Sequence, residues 1–283
     1  GICYGFGFGT RVNLSLQLMW YKKALAAGVA EACSYLGQYF EVNDKDADGQ
    51  KKVLEYYKRG VELGDRRSFL KLMYCYTYDP SLSDDEKIRL CQNLCDQLEC
   101  MGNYKGYSAM GLLYLVLNDL ENGISCLNSA IANDEVSAYG TLAEVYWGIG
   151  RCDEAVKWAQ NGILKGDMWS ADALADFIDD DADNKVRITA DIARRLNQPG
   201  LVSASRTLQV WSLYKANYEA NGSSVSYISM ANIFFTHQGV EGVCLDEVTA
   251  GLKTLVDGND LDACKILVNL YGGRTAGFEH EAD

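Results

Sequence analysis

Proline is nearly absent, with two residues in 283, and histidine is as scarce, with only His237 and His280. No apolar run reaches the roughly 18 residues that a membrane helix needs, and the longest spans residues 110–117. Positive charge is short as well: 26 Lys and Arg stand against 39 Asp and Glu, for a net charge of −13. Each scarcity excludes something. A chain that is 48% hydrophobic and 23% charged, with so little proline, is not composed like a disordered one. Two histidines without a recognisable nucleophile partner in sequence leave little for acid–base or covalent catalysis. The lack of a long apolar run argues against a membrane span. The shortage of basic residues argues against a duplex nucleic-acid binder, which needs a basic stripe to neutralise phosphates; basic or neutral partners fit better.

What the chain has in abundance is a recurrent pattern. A glycine, or an asparagine in its place, closes successive amphipathic segments at Gly28, Gly64, Gly102, Asn133, Gly166, Gly222 and Gly258. The steps run from 31 to 38 residues except for one of 56, between Gly166 and Gly222. Most of the closing residues follow a helix with an aromatic about eight positions upstream, such as Trp20, Tyr56 or Trp158. Each precedes a second segment reading aliphatic, small, then aromatic two or three positions on: Leu36-Gly37 with Phe40, Leu72-Met73 with Tyr76, Met110-Gly111 with Tyr114, Leu142-Ala143 with Tyr146. Leu174-Ala175 with Phe177, Met230-Ala231 with Phe234 and Leu267-Val268 with Tyr271 continue the series. One helical hairpin cannot bury its apolar stripe alone, so such units stack, the small residue allowing close approach and the aromatic filling the gap. The glycine takes the left-handed conformation that ends a helix. The 56-residue step is read as an irregular pair, residues 185–196 and 203–220, broken at Pro199-Gly200.

These residues resemble the Sel1-like repeat family, relatives of the tetratricopeptide repeats. Its pattern is leucine-glycine-x-x-tyrosine-x-x-glycine-x-glycine, a loop, then alanine-x-x-tryptophan-tyrosine-x-lysine-alanine-alanine-x-x-glycine, and residues 1–28 match it almost completely. The resemblance is strongest over 1–170 and again over 208–272, and departs at 185–206. It implies an all-α, right-handed solenoid of about seven helix-turn-helix repeats over residues 1–272, irregular near 185–206, with a polar tail at 273–283. It also implies an adaptor, scaffold or recognition module rather than an enzyme. Gly1 falls in the middle of a first helix and there is no initiator Met, so the chain reads as cut from something longer, with uncapped ends that invite self-association.

The ten cysteines lack the paired spacing, one per helix and seven residues apart, that the secreted members of the family carry. They are expected to be reduced and buried, as in a cytoplasmic protein. Cys91, Cys95 and Cys100 lack zinc-knuckle spacing and a nearby histidine. The sharpest metal motif is Asp44, Asp46 and Asp48 with Gly49 and Glu55, which satisfies the calcium-loop string. Lys51 stands where that loop wants an aliphatic residue, and the repeat register starts a helix near Gly49, about one turn before a calcium loop releases its helix. A second acidic run, 179–184, has Ala190 at the position that needs the glutamate. Gly5, Gly7 and Gly9 lack the strand and the Lys-Ser/Thr pair of a phosphate loop and belong to the repeat turn.

If the array coils as its relatives do, the residue after the small position of each first helix lines the groove. That ladder is Ile2, Gln38, Tyr74, Leu112, Glu144, Asp176, Asn232 and Asn269, with Trp147, Asp172 and Asp179 adding to its acidic middle. It passes from apolar and aromatic to acidic and amide. It therefore suits a protein or peptide segment that is apolar at one end and basic at the other. The alternatives are a calcium- or ligand-gated regulator built on 44–55, and a substrate-recruiting arm of a larger enzyme.

Overall fold

The computed structural model describes residues 1–6, 9–258 and 260–271. Among them every regular element is helical and no peptide bond is cis. The chain divides into two compact units, 1–135 and 136–283.

The first unit is a series of four helical hairpins. They are α1 (Ile2–Phe6) with α2 (Leu14–Ala26), α3 (Ala32–Asn43) with α4 (Ala47–Glu62), α5 (Arg66–Thr77) with α6 (Asp84–Cys100), and α7 (Lys105–Val116) with α8 (Leu120–Ala132). First helices also touch the next first helix, α3 against α5 and α5 against α7, so the hairpins stack. The aliphatic and small signature positions are the ones that disappear from solvent: Leu36, Gly37, Leu72, Met73, Met110 and Gly111 are all buried. The small residue is needed for space. A Cβ on Gly37 would lie 2.2 Å from Cε1 of the fully buried Tyr57, and one on Gly111 would lie 2.8 Å from Cγ of Leu127. Burying each such Leu or Met side chain contributes about 1.5–3 kcal/mol.

The second unit opens with the hairpin of α9 (Ala138–Gly148) and α10 (Cys152–Lys165), followed by α11 (Trp169–Asp180) and the six-residue α12 (Ala190–Arg195). A 3-10 turn at Pro199–Ser203 leads to α13 (Arg206–Asn221), then α14 (Ser224–Thr236), α15 (Leu245–Asp257) and α16 (Leu261–Tyr271). Here the pairing differs from the sequence expectation. Residues 185–196 and 203–220 do not form a hairpin with each other: α13 packs on α11 as its partner helix, while α12 lies against α10. The long step is therefore one ordinary repeat whose turn has been lengthened. Arg206 holds that longer turn in place. Its guanidinium donates to the carbonyls of Asp179 and Asp181 and to Oδ1 of Asn184, closing the acidic run 179–184 around a cation supplied by the chain.

The turns from one hairpin to the next follow a shared construction. Five of the seven closing positions are left-handed, Gly64 (φ 77°) and Gly166 (φ 98°) among them. At Asn133 the left-handed residue is its neighbour Asp134 (φ 60°), and Gly258 is not left-handed, with φ −82°. After Gly64 and Gly166 comes a buried aspartate that organises the next helix. Asp65 accepts from Arg67 N at 3.3 Å and Ser68 Oγ at 2.5 Å; Asp167 accepts from Trp169 N at 3.2 Å, Ser170 Oγ at 2.6 Å and Gly140 N at 3.2 Å. Each serine packs under a glycine of the preceding helix, Ser68 beneath Gly60 and Ser170 beneath Gly162, where a Cβ would meet its Oγ at 2.0 Å.

The cysteines are all free, but the expectation that they are buried holds only for Cys33, Cys91 and Cys95, with Cys75, Cys126 and Cys264 half-buried. Cys3, Cys100, Cys152 and Cys244 are exposed, because the last three sit at helix ends, off the packed stripe. No helix among the described residues is long and apolar enough to cross a membrane. His237 is an exposed C-cap of α14; His280, Gly7 and the polar tail lie outside the described residues.

Candidate functional site

The ladder positions stay accessible while the aliphatic and small neighbours in their signatures are buried, except at Val268 beside Asn269, which is 64% exposed. In the first unit Gln38 and Leu112 are half-buried and Tyr74 is 49% exposed; in the second, Glu144, Asp176, Asn232 and Asn269 are exposed. This alternation follows from helix geometry, since the residue after two packed positions turns about 100° away from them.

Within the second unit, three acidic side chains gather. Glu144 on α9 and Asp172 and Asp176 on α11 repel one another strongly enough to share in raising Glu144 above the usual carboxylate range. Loss of hydration is the larger cause for all three, followed for Asp172 and Asp176 by hydrogen bonds that work against it. Among the described residues no lysine or arginine forms an ion pair with any of them. Trp147, one turn beyond Glu144, is half-buried and stacks on Phe177 with ring centroids 4.4 Å apart.

Asp172 is the most constrained of the group. Its Oδ2 accepts from Ser226 Oγ at 2.7 Å, and Ser226 in turn accepts from Asn217 Nδ2 at 3.0 Å. Asn217 Oδ1 accepts from Asn221 Nδ2 at 2.5 Å, so a polar chain runs from α13 through α14 to α11. Both Ser226 and Asn217 are fully buried. Among the described residues the other oxygen, Oδ1, is buried and meets no donor in hydrogen-bond geometry; the Asn217 amide stands near enough to the carboxylate to draw it down, but burial outweighs that and the Ser226 bond and pushes the Asp172 carboxyl up to about 6. Asp176 is oriented differently, by the Tyr214 hydroxyl donating to Oδ1. Burial and that carboxylate hold the Tyr214 phenol well above its ordinary range, so it remains a donor.

Sequence reasoning placed Glu144, Trp147, Asp172 and Asp176 on this face and missed Tyr214, Asn217 and Ser226. A register signal existed for one further atom. Ser108, two positions before Met110 as Asp172 is two before Leu174, holds the other buried side-chain oxygen without a partner among the described residues.

The calcium-string residues do not gather. Asp46 caps α4 by accepting from Gly49 N at 2.8 Å, Gly49 is helical and pressed against the Asp44 carbonyl, and Glu55 is exposed on α4. Lys52 pairs with Asp48 and stands 3.5 Å from Asp44 Oδ2. The register conflict is resolved in favour of the repeat helix. Among the described residues no group of three or more His, Cys, Asp or Glu is arranged to hold a metal ion.

No family model matches the chain, and no curated protein matches it. Among solved structures, a Sel1 repeat protein from Oxalobacter formigenes aligns over 70% of this chain and 83% of its own, at 18% identity and a TM-score of 0.48. The chain is similar to Sel1 repeat proteins. A protective antigen of uropathogenic Escherichia coli that displays an SLR fold aligns over 98% of this chain at 16% identity and a TM-score of 0.49. The chain spans 56% of that antigen's length.

Proposed function

We propose that this chain is a protein-interaction module, without a reaction of its own, that takes a basic residue of a partner segment at Glu144, Asp172 and Asp176. The observation that carries the reading is the buried Oδ1 of Asp172, without a hydrogen-bond donor among the described residues, beside two carboxylates that have no ion pair among them. A buried acceptor without a donor costs about 1–3 kcal/mol, and more when it is charged. Such a group needs a donor from outside the described residues, which an ordered water or a ligand supplies. A guanidinium or ammonium group satisfies both needs, bringing N–H donors and a positive charge in one side chain. Tyr214 and the Asn217–Ser226 chain fix the acceptors before binding, which reduces the ordering cost of association.

A positional-scanning peptide library, read on the pure protein and on Glu144→Gln/Asp176→Asn, tests this. Bound peptides should be enriched in arginine or lysine, weaken as salt rises, and be lost by the double variant. Enrichment of neutral or acidic peptides, or equal retention by the variant, removes the basis for the reading.

A further inference from the structure

The first unit contains a half-open cavity of about 600 Å³ between the C-terminal ends of α3 and α5 and the first turns of α4. Its apolar lining is Val53 and Leu54 from α4 and Cys75 from α5, with the exposed ring of Tyr78, the cap of α5, beside them. Tyr78 is 49% exposed and packs at 4.6 Å, tilted by 51°, against Tyr74, itself a ladder residue and equally exposed. An aromatic lip therefore continues the cavity onto the accessible face of the first helices. The volume falls within the range of pockets that enclose small molecules.

The rim decides which ligand fits. Three carboxylates line it, and each is already engaged within the chain. Glu41 Oε2 accepts from Tyr57 OH at 3.0 Å and Lys71 Nζ at 3.2 Å, and Asp44 Oδ2 has Lys52 at 3.5 Å. Asp79 Oδ1 accepts from Ser81 N at 2.8 Å and Ser81 Oγ at 2.6 Å, which fixes the turn after α5. Lys45 adds a positive charge to the same rim. Glu41 and Asp44 thus have lysine partners and Asp79 is tied into its turn, so a cation arriving here meets at most one carboxylate without an ion pair among the described residues, against three on the acidic face of the second unit. What the cavity offers is unfilled contact with apolar carbon and sulfur. Cys75 agrees with this, its thiol being pushed up to about 11, chiefly by loss of hydration.

We infer that this cavity is an anchor pocket for a neutral aromatic or large aliphatic side chain of the partner segment, seated on Val53, Leu54 and Cys75 beneath Tyr78. Interface energy concentrates where one such side chain enters a preformed pocket. Tyr74 then covers the flanking part of the segment. The inference deepens the proposed interaction role and rests on it for the identity of the occupant as a protein segment, but the pocket's chemistry is testable alone.

The test uses the full chain with methyl-labelled valine and leucine, titrated with indole and, separately, with n-butylguanidinium. Indole should shift the Val53 and Leu54 methyl resonances saturably, and n-butylguanidinium should shift them at least about tenfold more weakly, as apolar lining with Glu41 and Asp44 already paired to lysines requires. Cys75→Phe, which fills the cavity, and Tyr78→Ser, an exposed position, should each abolish the indole response while the remaining spectrum stays dispersed. Equal response to both probes, no saturable response, or full retention in Tyr78→Ser overturns the inference. The two readings fail separately. A basic peptide that moves Leu142 and Leu174 in the second unit, while indole leaves Val53 and Leu54 untouched, sinks the anchor pocket only; the converse sinks only the acidic face.

Discussion

Replacing Asp172 by asparagine should make the protein more stable and less able to bind. The carboxyl lies at about 6 in the folded chain against an ordinary 3.8, with burial the main cause. At about 1.36 kcal/mol per unit, the charged form costs the fold roughly 2–3 kcal/mol at neutral pH. Below about pH 4 the group is protonated whether the chain is folded or not, and no cost is present. Between about 4 and 6 the folded protein retains a proton that the unfolded chain has lost, so stability falls as pH rises, and above about 6 the whole cost is in place. Asparagine keeps the volume and the acceptor for Ser226 Oγ but carries no charge. Thermal unfolding followed by circular dichroism should therefore show a rise of roughly 5–10 °C at pH 7.5, at about 2–4 °C per kcal/mol, shrinking to nearly nothing at pH 4. The same variant should lose most of its affinity for basic peptides. A variant less stable than wild type at pH 7.5, or a gain of equal size at pH 4, would refute the claim that an unpaired charge at this position strains the fold.

Millimolar calcium followed by EDTA should leave the melting temperature unchanged, because Asp48 and Asp44 are engaged by Lys52 and Asp46 by the cap of α4; a calcium-dependent rise of several degrees contradicts that assignment. Gly37→Ala should cost about 1–3 kcal/mol, the usual penalty for overpacking, since its methyl group lands on the ring of Tyr57; urea unfolding measures it. Arg206→Ala should leave α11 and α13 paired but free residues 181–189, seen as faster proteolytic cleavage within that turn and a loss of about 1–2 kcal/mol from the broken hydrogen bonds.

The hairpins were legible because their signals are local. Aliphatic, small and aromatic residues at fixed spacing mark the buried stripe, and Leu36-Gly37, Met110-Gly111 and Leu142-Ala143 are buried as that spacing requires. The same register placed Glu144 and Asp176 on an accessible face. The lengthened turn was misjudged for a related reason: residues 185–196 contain helix-forming stretches, and only the packing of α13 on α11 assigns partners. Ser226 lies 54 positions from Asp172, and no periodicity links them. The anchor cavity draws on residues from Glu41 to Pro80 on three helices, each unremarkable in its own stretch of sequence.

The clamp made by Arg206 has a practical consequence for anyone altering this chain. It secures the start of the long turn from α13, while Ile188 N donates to Gln209 Oε1 and Arg195 Nε to the Ile163 carbonyl further along. The stretch between these fastenings and the 3-10 turn, around Asn197 and Gln198, is solvent-facing and bears on neither the α11–α13 pairing nor the acidic face. It is the natural point to graft a fluorophore-bearing or affinity sequence, giving a reporter attached to the unit whose binding it would observe.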